Sequence, residues 1–470
     1  MKKNPNSEER VCIVGAGLVG SLLAIYLSNR GFKIDIFEKR YDIRLKNITQ
    51  NRTIAMSISD RGIKALKGVG LDGIVLKHSI PKHSRMVHKI DNKRTSQQYG
   101  RNQTINTVDR CKLNSILLDK AEESENIQTH FRTEFVEMDP DNGLIKIRDI
   151  QNNNYFTKQY RWIIGADGIF SDVRMALEKQ KIVTTEMIKV EHGYRELNIP
   201  SDDNGNYILE KDHVHVWPRE KHVLVGLPSF GGKFTCNLFL PSYGQHSLEE
   251  IQDHQQLMKL FDSKFPSAKS LMPNLEENYF GNASSNIQAV KCDKWHNKDR
   301  VLLIGDAAHA IVPFFAMGMN AGFEDCTVFN DLLDDHNNDI SKVIEIYDSK
   351  RKQDTDAIGD LSYKNFKDIG ASHNDSYDFK WKLSRTIWDL FPNKWMPLYP
   401  MIAFSHTPLA EVVERNYKQQ QILDDAINDG LSSSKFGSNN FNDSIDHYIK
   451  PKLHILEEFK ASDLTFNNQN

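Results

Sequence analysis

Long apolar runs are missing from this chain. Its most hydrophobic stretch, residues 301–323, is broken by Asp306, His309 and Asn320, whereas a spanning helix needs about 20 nearly unbroken apolar residues. No integral membrane segment is expected. Cysteine is scarce: Cys12, Cys111, Cys236, Cys292 and Cys326 lie far apart with no CxxC pair. That spacing excludes a zinc ribbon or a disulfide framework and reads as reduced, mostly buried thiols. An excess of one charge is also absent, because 60 Lys and Arg stand against 63 Asp and Glu for a net charge of −3. Nothing in this balance would hold a nucleic acid or an anionic membrane, and the expected partner is a small molecule. Residues 1–10, MKKNPNSEER, are polar throughout and lack the apolar stretch of a secretory signal, so a cytoplasmic location is expected.

What is present is a regular alternation of elements. The 470 residues are more than one core usually absorbs, so at least two domains are expected. An apolar run at 11–14 stops at Gly15, residues 21–30 carry apolar side chains at helical spacing, and residues 33–38 alternate. This is a βαβ unit with a parallel sheet. Arg161 and Arg300 each introduce a short apolar run ending in glycine, Gly165 and Gly305, with an aspartate close behind; both read as buried parallel strands. Between about 185 and 290 the chain changes to alternating runs, at 213–217, 223–227 and 234–239, which predict an inserted antiparallel sheet. Helical spacing dominates from 320 to about 429, and the polar, Gly-, Ser- and Asn-rich stretch after it reads as a linker before a poorly fixed tail. The expected fold is therefore α/β, a doubly wound nucleotide-binding domain with an inserted antiparallel sheet and a C-terminal helical region. The expected boundaries are 1–75, 105–180 and 295–330 for the discontinuous nucleotide domain, 76–104 and 181–294 for the substrate domain, 331–430 for the helical region and 431–470 for the loose tail.

Gly15-Ala16-Gly17-Leu18-Val19-Gly20 is GxGxxG between a strand and a helix. The missing side chains let backbone approach a pyrophosphate, whose charge the helix N-terminus favours. Glu38 closes the second strand, where a carboxylate can accept hydrogen bonds from a ribose. The turn alone leaves NAD(P) and FAD open. About 290 residues on, a strand ends in Gly305-Asp306, and Met319-Asn320-Ala321-Gly322 opens another helix. A second helix N-terminus suits a flavin, whose reduced ring is anionic and is stabilised by backbone N–H groups. A third mark is the turn Gly165-Ala166-Asp167-Gly168.

These three segments, in this order, resemble the single-component flavin monooxygenases. Within that group the likeness is to members that hydroxylate the ring of L-kynurenine. It is carried by residues 51–62, by Arg85-Met86-Val87-His88, and by residues 304–326 with Pro313-Phe314-Phe315 and Gly318-Met319-Asn320. The resemblance implies bound FAD, transient NADPH at the surface because no second fingerprint is present, and dioxygen delivered to the substrate from a C4a-hydroperoxyflavin. It implies FAD contacts from Gly15, Gly17, Gly20, Glu38, Arg40, Ala55, Arg110, Asp306, Met319 and Asn320. It implies L-kynurenine contacts from Arg85, Tyr99, Asn365 and Tyr399, a set whose guanidinium, phenols and amide suit an amino-acid substrate. No protein base is implied, and no metal. Eukaryotic members of the group are membrane-anchored, so peripheral attachment to the mitochondrial outer membrane is the alternative location in a eukaryotic source.

The chain departs from that pattern at Ala316 and Met317, which stand where the family has Gly and Gln. Alanine disfavours positive φ and Met317 removes an amide from beside the ring. His309, three residues after Asp306, is expected to be a satisfied structural histidine. His213, His215 and His222 alternate along strands and are expected on one solvated sheet face. An NAD(P)-dependent dehydrogenase would account for the first βαβ unit but leaves the two later Asp/Gly segments idle. A non-enzymatic escort that keeps the glycine turn, and a hydroxylase of another aromatic acid, are the other readings.

Overall fold

The computed structural model describes residues 9–45, 55–369, 375–433, 441–460 and 464, with the side chains of 366–369 and 375–377 outside that description. Its centre is a six-stranded sheet in the order His296–Asn297, Val301–Leu303, Trp162–Gly165, Arg10–Val14, Lys33–Glu38, Ile127–Phe131. All neighbours run parallel except the first pair, which is antiparallel. Val11, Cys12, Ile13, Ile163, Ile164 and Leu302 are fully buried, as strands covered on both faces must be. The helices Leu18–Asn29 and Arg110–Glu122 bury apolar residues in the same core.

A small antiparallel sheet, Ala55–Ile58, Ile105–Asp109 and Ser79–Lys82, lies beside this unit. A seven-stranded sheet takes Ser84–His88 and Arg94–Gln98 from early in the chain and the rest from Thr185–Ile199 through Ser285–Cys292. It departs from the expected all-antiparallel pattern at one place. Ser84–His88 runs parallel to His213–Arg219, a pairing between strands more than a hundred residues apart that no local turn could direct. A further antiparallel meander, Thr133–Asp139, Leu144–Asp149 and Asn154–Gln159, falls inside the stretch assigned to the nucleotide domain and was not separately expected.

Helices Gly318–Asp335, Ile340–Ile369, Asp375–Leu390, Leu398–Phe404 and Leu409–Asn428 dominate the C-terminal third. The loose tail needs correction. Within it, Phe441–Tyr448 is helical and Lys450–Ile455 forms 3-10 turns, and Phe441, Ile445, Ile449, Leu453 and Leu456 pack into the helical core. Their spacing of three to four residues builds one apolar stripe, which outweighs the polar composition around it. Residues 434–440 of the expected linker lie outside the described residues.

Candidate active site

The glycine turn is built by close packing. Gly15 adopts φ +105, and a Cβ there would stand 2.6 Å from the Ala166 carbonyl oxygen, so only glycine fits. A Cβ at Gly20 would stand 2.1 Å from the Gly15 oxygen, whereas one at Gly17 would meet nothing within 4 Å. Gly15 and Gly20 thus serve the fold, while Gly17 borders open space. The helix that follows starts at Gly17 with no side-chain cap and no acidic residue in its first turn, leaving its N–H groups for an anion. The helix Gly318–Asp335 likewise has no side-chain cap and no acid in its first turn. By contrast, the nearby helices Arg110–Glu122 and Asp172–Lys179 are capped by Asp109 and Ser171.

Three segments distant in sequence converge here. The Asp167 turn packs against Gly15, and Asp167 accepts from the Asp172 N–H at 2.7 Å and the Val173 N–H at 3.2 Å. Arg174 is buried and ties this turn to the next, its Nη1 donating to the Ala307 oxygen at 2.9 Å and its Nη2 to the Ile169 oxygen at 2.7 Å. Gly305, at φ +63, brings Asp306 beside the N-terminus of the later helix, since a Cβ at Gly318 would lie 3.9 Å from Asp306 Oδ1. Asp306 keeps an exposed side chain although the surrounding protein raises its carboxyl by desolvation, with His309 and Arg110 working the other way. Exposed by area yet hemmed in by protein mass is the condition of a group on a cleft wall. Arg110, within electrostatic reach of it, is exposed too.

Glu38 is buried at the end of its strand and accepts from the Ala16 N–H at 3.0 Å, from the Arg40 N–H at 2.8 Å and from the Arg40 guanidinium at 2.9 Å. Burial pushes its carboxyl up, but the Arg40 contacts prevail and hold it below the usual carboxylate range. Ala55 opens the small sheet opposite Asp109, one residue from Arg110. Met319 and Asn320 are buried in the first turn of their helix. Asn320 donates from Nδ2 to the Ser57 and Ala316 oxygens at 2.9 Å, and its Oδ1 accepts from the Ser59 N–H at 2.8 Å, which pins that helix to the small sheet. Of the segment that carries the resemblance, residues 51–54 lie outside the described residues.

On the other side, Arg85 lies on Ser84–His88 and donates from Nε to Gln97 Oε1 at 2.6 Å. Tyr99 and Tyr399 pack against each other, their rings tilted by 33° with centroids 4.8 Å apart. Burial raises both phenols well above their ordinary value, and the nearby Arg85 charge offsets part of that rise. Both therefore remain protonated donors at neutral pH. The structure brings Tyr399, from the C-terminal helices, against Tyr99 and within electrostatic reach of Arg85 on the hairpin that leads to Tyr99. Asn365, on the helix Ile340–Ile369, donates from Nδ2 to the Phe314 oxygen at 3.3 Å.

Ala316 corrects one expectation. It adopts φ +55, ψ +35, the left-handed conformation that alanine was expected to resist, so the loop keeps a glycine-like geometry at a cost of about 1–2 kcal/mol. Met317 is almost fully buried and packs with Phe315 and Ile358 in the helical core. The histidine trio is a second correction. His215 and His222 are buried, because His215 shares its sheet face with the fully buried Trp217 and contacts Phe234 edge-on. Both faces of that sheet are covered, so alternation does not mark a wet side. His309 is the structural histidine expected: buried, it pairs through Nε2 with Asp325 Oδ2 at 2.6 Å.

Several residues of the site were not selected from sequence. Asp325 also accepts from the Gly305 N–H at 3.0 Å and from Arg351 Nε at 2.8 Å, so one buried carboxylate holds the Gly305-Asp306 turn. Arg351 bridges on to Glu324 at 2.8 Å, and Glu324 pairs with the buried Arg61. Asn114 donates to the Ala16 oxygen at 3.2 Å. Arg385 donates to the oxygens of Gln98, Tyr99 and Gly100, clamping the Tyr99 strand end. Asp325, Glu324 and Arg61 lay in segments the resemblance singled out. Among the described residues no group of His, Cys, Asp and Glu is arranged to hold a metal ion, and no helix is long and apolar enough to cross a membrane.

An uncapped glycine turn, a carboxylate at the end of the second strand and a second uncapped helix across one cleft define a dinucleotide-binding flavoprotein. In keeping with this, a family profile described as "FAD binding domain" matches residues 8–360. The chain is 35% identical over 420 residues to kynurenine 3-monooxygenase of Flavobacterium johnsoniae, covering 89% of this chain and 94% of that protein. It is 34% identical over 428 residues to the Sus scrofa protein of the same name, covering 89% and 88%. A tetrameric 2-methyl-3-hydroxypyridine-5-carboxylic acid oxygenase shares the fold with a TM-score of 0.63 at 19% identity, over 78% of this chain and 93% of that one. The chain belongs to the kynurenine 3-monooxygenase family of FAD-dependent enzymes.

Proposed function

We propose that this enzyme hydroxylates L-kynurenine to 3-hydroxy-L-kynurenine with NADPH and dioxygen. The observation that carries the reading is the grouping of Arg85 with the paired, protonated phenols of Tyr99 and Tyr399, beside a cleft whose residues fit FAD. The open space at Gly17 and the uncapped N–H groups after it would take the pyrophosphate, with Arg40 and Arg110 offsetting its charge. Glu38 would receive the ribose hydroxyls, which requires the exposed Arg40 side chain to give up part of its hold. Ala55, Asp306 and the N–H groups of Met319 and Asn320 would line the remainder.

When bound, FAD supplies the redox chemistry that passes electrons from NADPH to dioxygen. The chain's own residues do the rest by position. Arg85 holds the substrate carboxylate in a two-pronged contact, and Tyr99, Tyr399 and Asn365 complete the polar anchor. The aromatic amine of kynurenine already directs an electrophilic oxygen to its ortho carbon, so no side chain need remove a proton to activate it. Phe314, packed on Phe239 with centroids 5.3 Å apart, helps keep water out. A cytoplasmic location belongs to the same reading, because all five cysteines are free, as in a reducing compartment.

The test is substrate-stimulated NADPH oxidation by the FAD-loaded protein against a panel of aromatic acids. L-kynurenine is expected to stimulate most. Stimulation by another aromatic acid but not by L-kynurenine would overturn the substrate assignment.

A further inference from the structure

The small sheet carries a buried polar pair that the reaction as described does not use. Ser57 and Ala55 lie opposite Thr107 and Asp109, while Ile80 and Lys82 lie opposite Thr107 and Ile105. Directly opposed residues share a face, so Ala55, Ser57, Thr107, Ile105 and Lys82 all look the same way. One end of that face reaches Asp109 and Arg110 at the nucleotide cleft. At the other, Ile105 packs with Tyr99 and Tyr399. Between the two ends, Lys82 is fully buried and its one hydrogen bond among the described residues is from Nζ to Ser57 Oγ at 3.0 Å. Thr107 Oγ1, opposite Ser57, is buried with no partner among the described residues.

A fully buried lysine with no carboxylate beside it among the described residues is costly, and burial lowers Lys82 to about 7. Packing alone would be served better by an apolar side chain. In its charged form Lys82 has no lone pair to offer, so Ser57 Oγ accepts the hydrogen bond. The Ser57 hydroxyl hydrogen is then turned away from Lys82. Ser57 itself is only partly buried and is fixed from behind, because its backbone oxygen accepts from Asn320 Nδ2 at 2.9 Å.

We propose that Ser57 is a specificity-determining hydrogen-bond donor at the seam between flavin and substrate, and that Lys82 is the positioning residue that aims it. The group it serves is an uncharged acceptor oxygen: the side-chain ketone of an aryl ketone substrate or a carbonyl of the flavin ring. The ketone arm rests on the kynurenine reading above; the flavin arm does not.

The experiment uses the FAD-loaded protein and its apo form, with parent, Ser57→Ala, Lys82→Met and the double variant. Dissociation constants are measured for L-kynurenine by perturbation of the flavin spectrum, for FAD by fluorescence quenching, and for a kynurenine analogue whose ketone is reduced to methylene. Ser57→Ala is expected to weaken L-kynurenine about tenfold, the scale of one buried hydrogen bond, and to leave the methylene analogue unchanged. Lys82→Met should weaken it less, and its effect should vanish in the Ser57→Ala background, which a purely structural lysine would not show. Ser57→Thr, which keeps the hydroxyl, should restore binding. Weakened FAD binding with unchanged kynurenine binding assigns the flavin carbonyl as acceptor. Ser57→Ala that binds both ligands like the parent, or a Lys82→Met loss that persists undiminished in the double variant, overturns the proposal. A parent that shows no spectral response to kynurenine refutes the substrate reading alone, and the FAD titration still judges the donor.

Discussion

The His309 ring pairs through Nε2 with the buried Asp325 carboxylate at 2.6 Å, and the same carboxylate receives Arg351 and the Gly305 N–H. One side chain thereby fixes the turn that presents Asp306 to the cleft. Asp325→Ala is expected to destabilise the protein by about 3–5 kcal/mol, because it removes the fully buried carboxylate that His309, Arg351 and the Gly305 N–H share and leaves Arg351 only Glu324 and Asp354. Thermal unfolding of the apo form and FAD titration check this. A variant with parental stability and FAD affinity would contradict the role.

The same cluster sets the acid limit of stability. Burial pushes Asp325 and Glu324 up, but Arg351, with His309 beside Asp325 and Arg61 beside Glu324, brings both carboxyls below their ordinary values. A carboxyl lower in the folded than in the unfolded state contributes stability above the unfolded value and loses it as pH falls through the folded one. Stability should therefore hold at neutral pH and decline below about pH 4, where unfolded carboxyls protonate. Denaturant midpoints against pH would show it, and the decline should be shallower in Asp325→Ala.

Gly17 and Gly20 separate fold from ligand. A Cβ at Gly17 meets nothing in the protein, whereas one at Gly20 would stand 2.1 Å from the Gly15 oxygen. Gly17→Ala should leave apo stability within about 0.5 kcal/mol of the parent while weakening FAD strongly, because the new methyl occupies the space proposed for the pyrophosphate. Gly20→Ala should lose both. Paired melting curves with and without FAD distinguish them.

Ala316 offers a gain. Its φ of +55 suits glycine, so Ala316→Gly relieves a left-handed strain of about 1–2 kcal/mol against an unfolded-state entropy cost of about 0.4–1 kcal/mol. A net stabilisation of about 0.5–1 kcal/mol is expected from denaturant unfolding.

Arg85 tests the substrate anchor. Arg85→Ala should raise the KM for L-kynurenine at least tenfold, since a charge-assisted hydrogen bond contributes about 1.5–3 kcal/mol, with FAD retained. Arg85→Lys should recover only part, because an ammonium cannot grip a carboxylate with two parallel bonds.

Local chemistry made the nucleotide half legible. GxGxxG between strand and helix, Glu38 at the next strand end and Gly305-Asp306 after a later strand are short-range patterns, and each lies where its pattern implies. Arg85, Tyr99 and Tyr399 were selected through resemblance, since an isolated arginine or tyrosine has no spacing that marks it. In the cluster of Asp325, Arg351, Glu324 and Arg61 the paired Arg61 and Glu324 are 263 residues apart, and no periodicity reveals such a partnership. His215 was misplaced for a related reason: alternation gives the face of a strand but not whether the helices packed beyond it leave that face wet.

Oxygen transfer to the ring of kynurenine is tested most directly by following the oxygen atom itself. The FAD-loaded enzyme, given NADPH, L-kynurenine and ¹⁸O-labelled dioxygen, is expected to yield 3-hydroxykynurenine carrying one labelled oxygen, detected by mass spectrometry. NADPH consumption that yields only hydrogen peroxide and unchanged kynurenine would contradict it.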